Sequence, residues 1–468
     1  MDDFLREIQT SLFREWINNQ KRDYYHLHQS ETDPDAIIIE NEYCYSYVTF
    51  NPQCIIELCV MNKRTDEMAF YLHFQFKTLK HAISLFEEMD QCIKKMINQP
   101  ICRLLLCCSG GMTTAFFADK IKNGIKVLNL NMEVAATSYQ KIYNVAQNYD
   151  VILLAPQVSY VKLQVEKVFK NKLVLKIPTQ IFASYNVGAL ITFVEESLKH
   201  KENKYNGYVE PLASMMEIKT NKNVLAVSIN ANGENSHISY RLYNSHQDIV
   251  LDSNIIKCNI KLQDVLDALD TVVLQNEMID VISIALPGVM VEGNVYSGII
   301  EGGNHQLKER LEKRYEKEIY LINDVNAAVV GYYASQNEYK SLAFLFQPIG
   351  RMAGSGIVIN GQLVRGMDHL AGEVALLPLK LSDSYLNLAN TPEGTLELVT
   401  KNIMSIIAIV SPEAIVVYSD LILDSQDVSD EIKKSLSQYS LKVYPKIIKV
   451  ENILEYILLG AMILSAKE

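Results

Sequence analysis

The chain has 468 residues, a length that favours about three domains over a single core. Because 49% of the residues are hydrophobic and 21% are charged, composition excludes a chain that is disordered along its length. The 44 basic and 55 acidic residues give a net charge of −11, which argues against a nucleic-acid-binding surface. We see neither an apolar run of the roughly 20 residues that span a membrane nor a signal peptide, so a cytoplasmic protein is predicted.

Residues 1–98 are predicted to form a small α+β domain. A helix is expected over residues 4–21, three β-rich runs follow within residues 36–76, and a second helix covers residues 79–96. We expect this domain to serve contacts or dimerisation, and its sequence indicates no more specific role.

From residue 101 the pattern changes to apolar strands that alternate with helices. This alternation predicts a small parallel sheet of the flavodoxin-like kind, covered by helices on both faces, with strands at 102–108, 126–130, 150–155 and 173–177. The polar residues 201–220 are then interpreted as a linker, with a continued helix as the alternative for their first part. Residues 221–468 again alternate strands and helices, and they are numerous enough for two lobes.

A cysteine ends the first strand of the central segment. Cys108 follows an apolar run and precedes Ser-Gly-Gly and a helix that opens with hydroxyl residues. Such a loop directs backbone N–H groups and a helix N-terminus at one point, where they bind a phosphoryl group and favour a thiolate. We predict that Cys108 accepts a phosphoryl group whose oxygens are held by the amides of this loop. The alternative is a buried cysteine before an ordinary glycine turn.

A second motif, Ala-Pro-Gln-Val-Ser-Tyr at residues 155–160, follows the third strand of this segment and is expected at the same sheet edge as Cys108. Together the two motifs resemble the lactose/cellobiose-type IIB component of the bacterial phosphoenolpyruvate-dependent sugar phosphotransferase system (PTS), over about residues 101–200. The resemblance implies that Cys108 receives its phosphoryl group from a phosphohistidine on a IIA partner protein. It also implies a phosphate cradle, for which we predict Ser109, Gly110, Gly111, Met112, Thr113 and Thr114. Ser159 stands where that family usually has Arg, and Ala155 where it has Gly.

In that family the phosphoryl group passes on to a sugar in a membrane IIC subunit. Because we recognise no IIC segment in this sequence, we expect a phosphoryl group on Cys108 to leave to another protein or to remain as a signal.

The motifs INDVNAA at 322–328 and GMDHLAGE at 366–373 occur in an order and spacing that resemble the ROK family of repressors and sugar kinases. That family has a two-lobed, actin-like ATPase fold, and the resemblance covers most of residues 221–468. It implies that Asp324 is the general base that takes the proton of a sugar hydroxyl. It also implies a set of sugar ligands, for which we predict Asn323, Asp324, His369 and Glu373. For Asp324, a helix-capping carboxylate is the alternative.

The nucleotide side of this ROK-like segment departs from the family at three places. Ser228 stands where the first phosphate loop has a metal-positioning Asp, and Arg351 and Met352 stand where the second loop has small residues. Residues 417–420 lose the small residues of a third nucleotide segment. Leu376 takes the place of the zinc-binding His, so no metal is predicted. We therefore expect impaired ATP use, and a nucleotide with Mg²⁺ as cofactor only if the segment is an active kinase.

The sequence thus predicts a PTS-linked, cytoplasmic sugar-sensing or regulatory protein. Its α/β architecture is expected to combine the small α+β domain, the IIB-like domain and the ROK-like domain. The expected partners are a IIA-type phosphohistidine protein, a small sugar or sugar phosphate, and a second copy of the chain. Two alternatives stay open: an active ROK sugar kinase for glucose or a β-glucoside, and a ROK-type transcriptional regulator, although no helix-turn-helix is visible.

Overall fold

The structure is a computed structural model. It describes residues 3–63, 66–97, 102–109, 112–128, 130, 132–169, 172–202, 221–232, 235–291, 294–296, 300–301, 306–367, 370–422, 424–437 and 444–466.

The N-terminal segment is an antiparallel sheet covered by two helices, in agreement with the predicted element types. Its elements are α1 Asp3–Asn18, β1 His26–Gln29, β2 Ala36–Glu40, β3 Cys44–Asn51, β4 Ile55–Asn62, β5 Met68–Gln75 and α2 Leu79–Ile97. Helix α1 ends earlier than predicted, at Asn18. The apolar run from residue 36 to 50, predicted as one run, is divided because the Asn41 side chain accepts hydrogen bonds from the Tyr43 and Cys44 amides and forms a turn.

The central segment is a four-stranded sheet whose strands are all parallel, as predicted. Its strand order is β7-β6-β8-β9, and its elements are β6 Cys102–Cys108, α3 Met112–Val127, β7 Met132–Ser138, α4 Ile142–Val145, β8 Val151–Leu154, α5 Lys162–Val168, β9 Leu173–Lys176, α6 Thr179–Ser184 and α7 Val187–Glu202. Helix α7 continues to Glu202, and residues 203–220 of the predicted linker lie outside the described residues.

One sequence prediction for this segment is wrong. The strand predicted at 126–130 is not formed: α3 runs to Val127, and the strand follows at Met132–Ser138. Val127 and Leu128 are exposed, whereas Met132 and Val134 are buried, so the later register is the one that buries apolar side chains. The helix predicted near 138–148 is present as the short α4 with a 3₁₀ turn on each side, which together cover 139–148.

The C-terminal segment forms two lobes. The first contains β10 Val224–Asn232, β11 Asn235–Tyr243, β12 Ile249–Lys257, β13 Ile260–Lys261, α8 Leu262–Gln275, β14 Val281–Leu286, β15 Val289–Val291, β16 Asn294–Tyr296, β17 Ile300–Glu301, α9 Leu307–Tyr315 and β18 Glu318–Asn323. The second contains α10 Asp324–Ala334, β19 Leu342–Phe346, β20 Gly354–Ile359, β21 Gln362–Leu363, α11 Tyr385–Leu388, α12 Pro392–Ile409, β22 Ala414–Tyr418, α13 Ser425–Leu436, β23 Lys446–Lys449 and α14 Leu454–Ala466.

The two lobes repeat one strand topology. In the first the order is β12-β11-β10-β14-β18, and in the second it is β21-β20-β19-β22-β23. Each series has two antiparallel pairings followed by two parallel ones. This repeat is the arrangement expected for the two-lobed, actin-like fold, and it places the carboxyl ends of β10, β18 and β19 around one cleft.

The N-terminal sheet continues into the first lobe. Strand β5 pairs antiparallel with β12 at Tyr71 and Ile256, which gives a ten-stranded sheet from β1 to β18. One apolar core runs through both parts and includes side chains of α1, α2, β10 and α8. The central segment, by contrast, has a core formed by residues 102–194 alone. Residues 3–97 therefore extend the first lobe, and the central segment is inserted between them.

Candidate functional site

Cys108 lies at the carboxyl edge of the central sheet. It is the last residue of β6, where it pairs with Ser138 of β7, and its neighbour Cys107 pairs with Leu154 of β8. The Ala155 amide donates to the Cys107 carbonyl oxygen at 2.8 Å. These bonds bring the start of the 155–160 motif next to the cysteine loop, as the sequence predicts.

The cradle predicted around Cys108 is described in part. Ser109 is exposed, and α3 begins at Met112 with Thr113 and Thr114 as its next residues. Gly110 and Gly111 lie outside the described residues. The start of α3 directly after the cysteine loop is the placement that an anion-binding helix N-terminus needs.

The two adjacent cysteines differ in their surroundings. Cys107 is fully buried, and this burial raises the pKa of its thiol to about 12, with the Cys108 charge as a smaller cause. A thiol of that kind stays protonated and unreactive near neutral pH. Cys108 keeps a small exposed fraction, 5%, at the sheet edge, so it is the cysteine of the pair that a phosphoryl donor can reach.

The serine that replaces the family's Arg turns inward. The Ser159 hydroxyl donates to the Pro156 carbonyl oxygen at 2.9 Å, within its own turn. The next residue, Tyr160, is 73% exposed, and its ring lies 6.4 Å from that of Tyr139. This edge therefore presents the ring of Tyr160 to solvent, while the Ser159 hydroxyl is used within its own turn.

A second site is the cleft between the two lobes, a cavity of about 250 Å³. It brings together three of the four predicted sugar ligands, Asn323, Asp324 and Glu373; the fourth, His369, lies outside the described residues. Residues of both predicted nucleotide loops line the same cavity, namely Asn230, Ala231, Arg351, Met352, Ala353 and Gly354. The remaining lining residues are Pro287, Gly288, Val325, Phe346, Pro348 and Ala375.

Asp324 begins α10, and Asn323 caps the helix. The Asn323 side-chain oxygen accepts from the Val325 and Asn326 amides at 3.1 and 3.0 Å, and its amide group donates to the Gly288 carbonyl oxygen at 3.2 Å. Asp324 accepts from the Val325 amide at 2.9 Å. Because Asn323 supplies the cap, the Asp324 carboxylate is not needed for that purpose and lines the cleft.

Burial controls the protonation of both cleft carboxylates. Burial raises the pKa of the Asp324 carboxyl to about 7; the Val325 amide opposes this rise, and the charge of Glu373 adds to it. Burial also raises the pKa of Glu373. A carboxyl with a pKa near neutrality suits a group that takes a proton from a hydroxyl.

The second nucleotide loop uses its amides within the protein. The Gly350 amide donates to the Ala389 carbonyl oxygen at 2.9 Å, and the Ala353 amide donates to the Tyr385 hydroxyl at 3.2 Å. Gln347 holds the loop from inside, because its side-chain amide donates to the Arg351 carbonyl oxygen at 2.9 Å. Two amides that a phosphate-binding loop would direct at a nucleotide are thus already bonded.

The other two nucleotide positions are also occupied by protein groups. Ser228 is fully buried in β10, and Asn230 donates to its hydroxyl at 3.5 Å. At the end of β22, Tyr418 is buried, packs its ring 5.5 Å from that of Phe346 and donates to Asp420 at 3.1 Å. A bulky ring therefore takes the place of the small residues that the family has there.

Two residues that shape the cleft could not be identified from the sequence. Tyr385 and Gln347 hold the second loop, and their hydroxyl and side-chain oxygen are 2.9 Å apart. They are distant in sequence and belong to no recognised motif, so only the fold pairs them. Among the described residues no cluster of metal-ligating side chains is found, and no described helix is long and apolar enough to cross a membrane.

Comparisons with known proteins agree with both motif sets. Residues 103–192 match the model of the PTS system lactose/cellobiose-specific IIB subunit, and residues 233–385 match the model of the ROK family. A search of curated proteins finds no match.

Solved structures similar to the chain include both kinds of protein. A ROK hexokinase from Thermus thermophilus is 16% identical, with 52% of this chain and 99% of that one covered and a TM-score of 0.41. A ROK family glucokinase from Streptomyces griseus, solved with glucose and AMPPNP, is 16% identical, with 51% and 97% covered and a TM-score of 0.40. The lactose-specific IIB domain from Streptococcus pneumoniae is 21% identical, with 20% and 95% covered and a TM-score of 0.19.

Proposed function

We propose that the protein is a PTS-linked, cytoplasmic sugar-sensing or regulatory protein. Its IIB-like segment accepts a phosphoryl group on Cys108 from a IIA-type phosphohistidine protein. Its ROK-like cleft binds a sugar or sugar phosphate without efficient use of ATP. The observation that carries the proposal is the composition of the cleft, where the sugar-side carboxylates share one cavity with a nucleotide loop whose amides are bonded internally.

The phosphoryl-accepting role rests on the placement of Cys108. The residue ends a parallel strand directly before α3, beside the 155–160 motif, and lies within the segment that matches the IIB model. In this position a thiolate can attack the phosphorus of the phosphohistidine while the N–P bond breaks and the histidine leaves, and the amides that follow can hold the oxygens of the phosphoryl group.

The sugar-binding role rests on Asp324 and Glu373. Two carboxylates and the neighbouring Asn323 offer the acceptors and donor that sugar hydroxyls require, inside a segment that matches the ROK model. The second loop opposes ATP binding, because Gly350 and Ala353 direct their amides at protein acceptors. The bulk of Arg351 and Met352 on the cavity wall adds to that effect.

Phosphorylation tests the IIB half of the proposal. After incubation with radiolabelled phosphoenolpyruvate, the general PTS transfer proteins and a cellobiose-type IIA, we expect one label per chain, lost in Cys108→Ser. Cys107→Ser is the matched control, because its buried thiol should leave labelling unchanged. A wild-type chain that stays unlabelled while a genuine IIB becomes labelled contradicts the carrier role.

One observation favours a second candidate, an active ROK sugar kinase. Asp324 is retained at the start of α10 with a pKa near neutrality, as a kinase base requires. The two candidates differ in whether ATP is consumed when a sugar is bound.

A further inference from the structure

The cleft holds its sugar-side carboxylates beside a loop that does not offer its amides to a phosphoryl donor. Asn323, Asp324 and Glu373 line one cavity together with residues of that loop. The Gly350 and Ala353 amides of the loop are bonded to protein acceptors. A phosphoryl group that reached a bound sugar would therefore have to come from a donor other than a nucleotide held by this loop.

The loops that line the cleft carry features of a protein-binding surface. They line the cavity through Met352, Glu373 and Ala375 and also carry exposed apolar side chains. We name this set the apolar rim, and it consists of Met352, Met367, Leu370 and Leu376, with exposed fractions of 48%, 78%, 37% and 76%. Several exposed apolar side chains on loops that border one site are typical of a contact with another protein surface.

The IIB-like segment is the partner that the chain itself supplies. The segment is connected at both ends to the part of the chain that contains the first lobe. Helix α2 ends at Ile97 before it, and β10 begins at Val224 after it. Both α2 and β10 belong to one apolar core. Its exposed side chains include Tyr160, in the turn beside the Cys108 loop, and Phe116, in α3. A covalent connection of this kind makes the encounter of the two parts intramolecular.

We propose that the phosphoryl group on Cys108 is transferred directly to the sugar held in the ROK-like cleft, so that phosphocysteine takes the place of ATP. The S–P bond breaks and leaves the Cys108 thiolate, an O–P bond forms to a sugar hydroxyl, and the proton of that hydroxyl passes to the Asp324 carboxylate. The IIA-type phosphohistidine protein then phosphorylates the Cys108 thiolate again. This inference rests on the proposed function and adds the destination of the phosphoryl group.

Asp324 supports this transfer better than it supports binding alone. A residue that only binds sugar hydroxyls serves best as a fully ionised acceptor, whereas proton abstraction is most efficient when the pKa lies near the working pH. Burial places the pKa of Asp324 at about 7. The cleft has thus kept its proton acceptor. The Gly350 and Ala353 amides, by contrast, donate to protein acceptors and are not available to a phosphate group.

A pulse and chase with the full-length chain tests the transfer. The chain is first labelled through the PTS proteins and a IIA, then separated from them and mixed with D-glucose, cellobiose or N-acetyl-D-mannosamine, each also titrated by calorimetry. For a sugar that binds, we expect the label to leave Cys108 at least tenfold faster than without sugar and to appear as a sugar phosphate. Asp324→Asn should still become labelled but transfer at least 100-fold more slowly, as expected for loss of a general base.

A surface pair tests the docking. Leu376→Lys should slow the transfer at least tenfold without altering Cys108 labelling. Ile409→Lys is the control, because Ile409 is equally exposed, at 74%, but lies at the end of α12 outside the apolar rim. Equal rates for the two variants would overturn the docking on the rim.

The outcomes of the chase separate this inference from the proposed function. Label that stays on Cys108 while a sugar binds overturns the transfer and leaves the proposed function standing. Transfer that is equally fast in Asp324→Asn overturns the role of Asp324. A chain that takes no label, or binds none of the sugars, contradicts both the proposed function and the transfer.

Discussion

At the residue scale, the stretch from Asn323 to Val325 explains how a carboxylate is held in the cleft. The Asn323 side chain accepts hydrogen bonds from two amides in the first turn of α10. Asp324 is 3% exposed and lies between the two lobes. Asp324 also lies near Glu373, so removal from water and a like charge both favour its protonated form.

The raised pKa of Asp324 predicts a pH-dependent stability. The native carboxyl has a pKa of about 7 against an ordinary value of 3.8, so between these pH values the native state binds more protons than the unfolded state. The free energy of unfolding contributed by this group therefore falls as pH rises through that window. Between pH 5 and pH 8 the wild type should lose on the order of 3 kcal/mol in the free energy of unfolding through this group, and Asp324→Asn should not show this loss. Urea unfolding of both proteins at the two pH values measures the difference. An identical pH profile for both proteins contradicts the assignment.

Residue motifs were sufficient to predict where Cys108, Asp324 and Glu373 lie. Each belongs to a short motif at the end of a strand or in a loop, and such positions follow from local sequence. The internal bonding of the second loop could not be predicted, because Gly350 and Ala353 find their acceptors at Ala389 and Tyr385, which only the fold brings near. Sequence reasoning found the bulky substitutions in the loop but not the use of its amides.

At the element scale, α10 and α14 cross at close distance through two glycines. A Cβ on Gly460 would lie 1.8 Å from the Ala327 carbonyl oxygen, and one on Gly331 would lie 2.0 Å from that of Tyr456. Helix α14 also receives a hydrogen bond from the first lobe, from the Ser283 hydroxyl to the Ala461 carbonyl oxygen at 2.9 Å. This contact fixes α10, and with it Asp324, against both lobes.

Gly460→Ala should therefore destabilise the protein. Backbone atoms cannot move aside as a flexible side chain can, so we expect a loss of at least about 2 kcal/mol in the free energy of unfolding, measured by circular dichroism in urea. Gly188→Ala is the control, since Gly188 lies in the first turn of α7, where an added Cβ would meet only the Asn186 side chain at 3.7 Å and should change stability by no more than about 0.5 kcal/mol. Equal stability of the Gly460→Ala variant and the wild type would contradict the close crossing.

Elements with strong periodicity were predicted better than those that depend on register. Helix α2 and the parallel strands β6, β8 and β9 have the predicted type because apolar runs of that length leave little choice. Strand β7 was misplaced, since Val127 and Leu128 are as apolar as the residues that form it. Only packing against β6 selects Met132 and Val134 for the core.

At the scale of the whole molecule, residues 3–97 and the first lobe form one body. Lys257 of β12 is 98% buried and bonds to both Glu88 of α2, at 2.5 Å, and Asp264 of α8, at 2.6 Å. The backbone amide of Gln75, in β5, donates to the Thr271 hydroxyl at 3.2 Å. Without α2 the buried ammonium of Lys257 would lose one of its two carboxylates, and β12 would become an exposed edge strand.

Two fragments should consequently differ in their folding. A fragment of residues 102–202 carries a complete core and should unfold cooperatively on heating. A fragment of residues 222–468 lacks α2 and β1 to β5, so we expect it to aggregate or to unfold without a sharp transition by calorimetry. A cooperative transition of the second fragment near that of the full chain would show that the shared core is dispensable.

The proposed function requires a cleft that has kept its sugar side and lost its nucleotide side. The most direct measurement is a coupled assay of ADP release with ATP and Mg²⁺, run with each sugar that binds by calorimetry and with Asp324→Asn in parallel. We predict no sugar-dependent ADP release above the rate of the Asp324→Asn variant. Robust release that this substitution abolishes would contradict the account and identify an active sugar kinase.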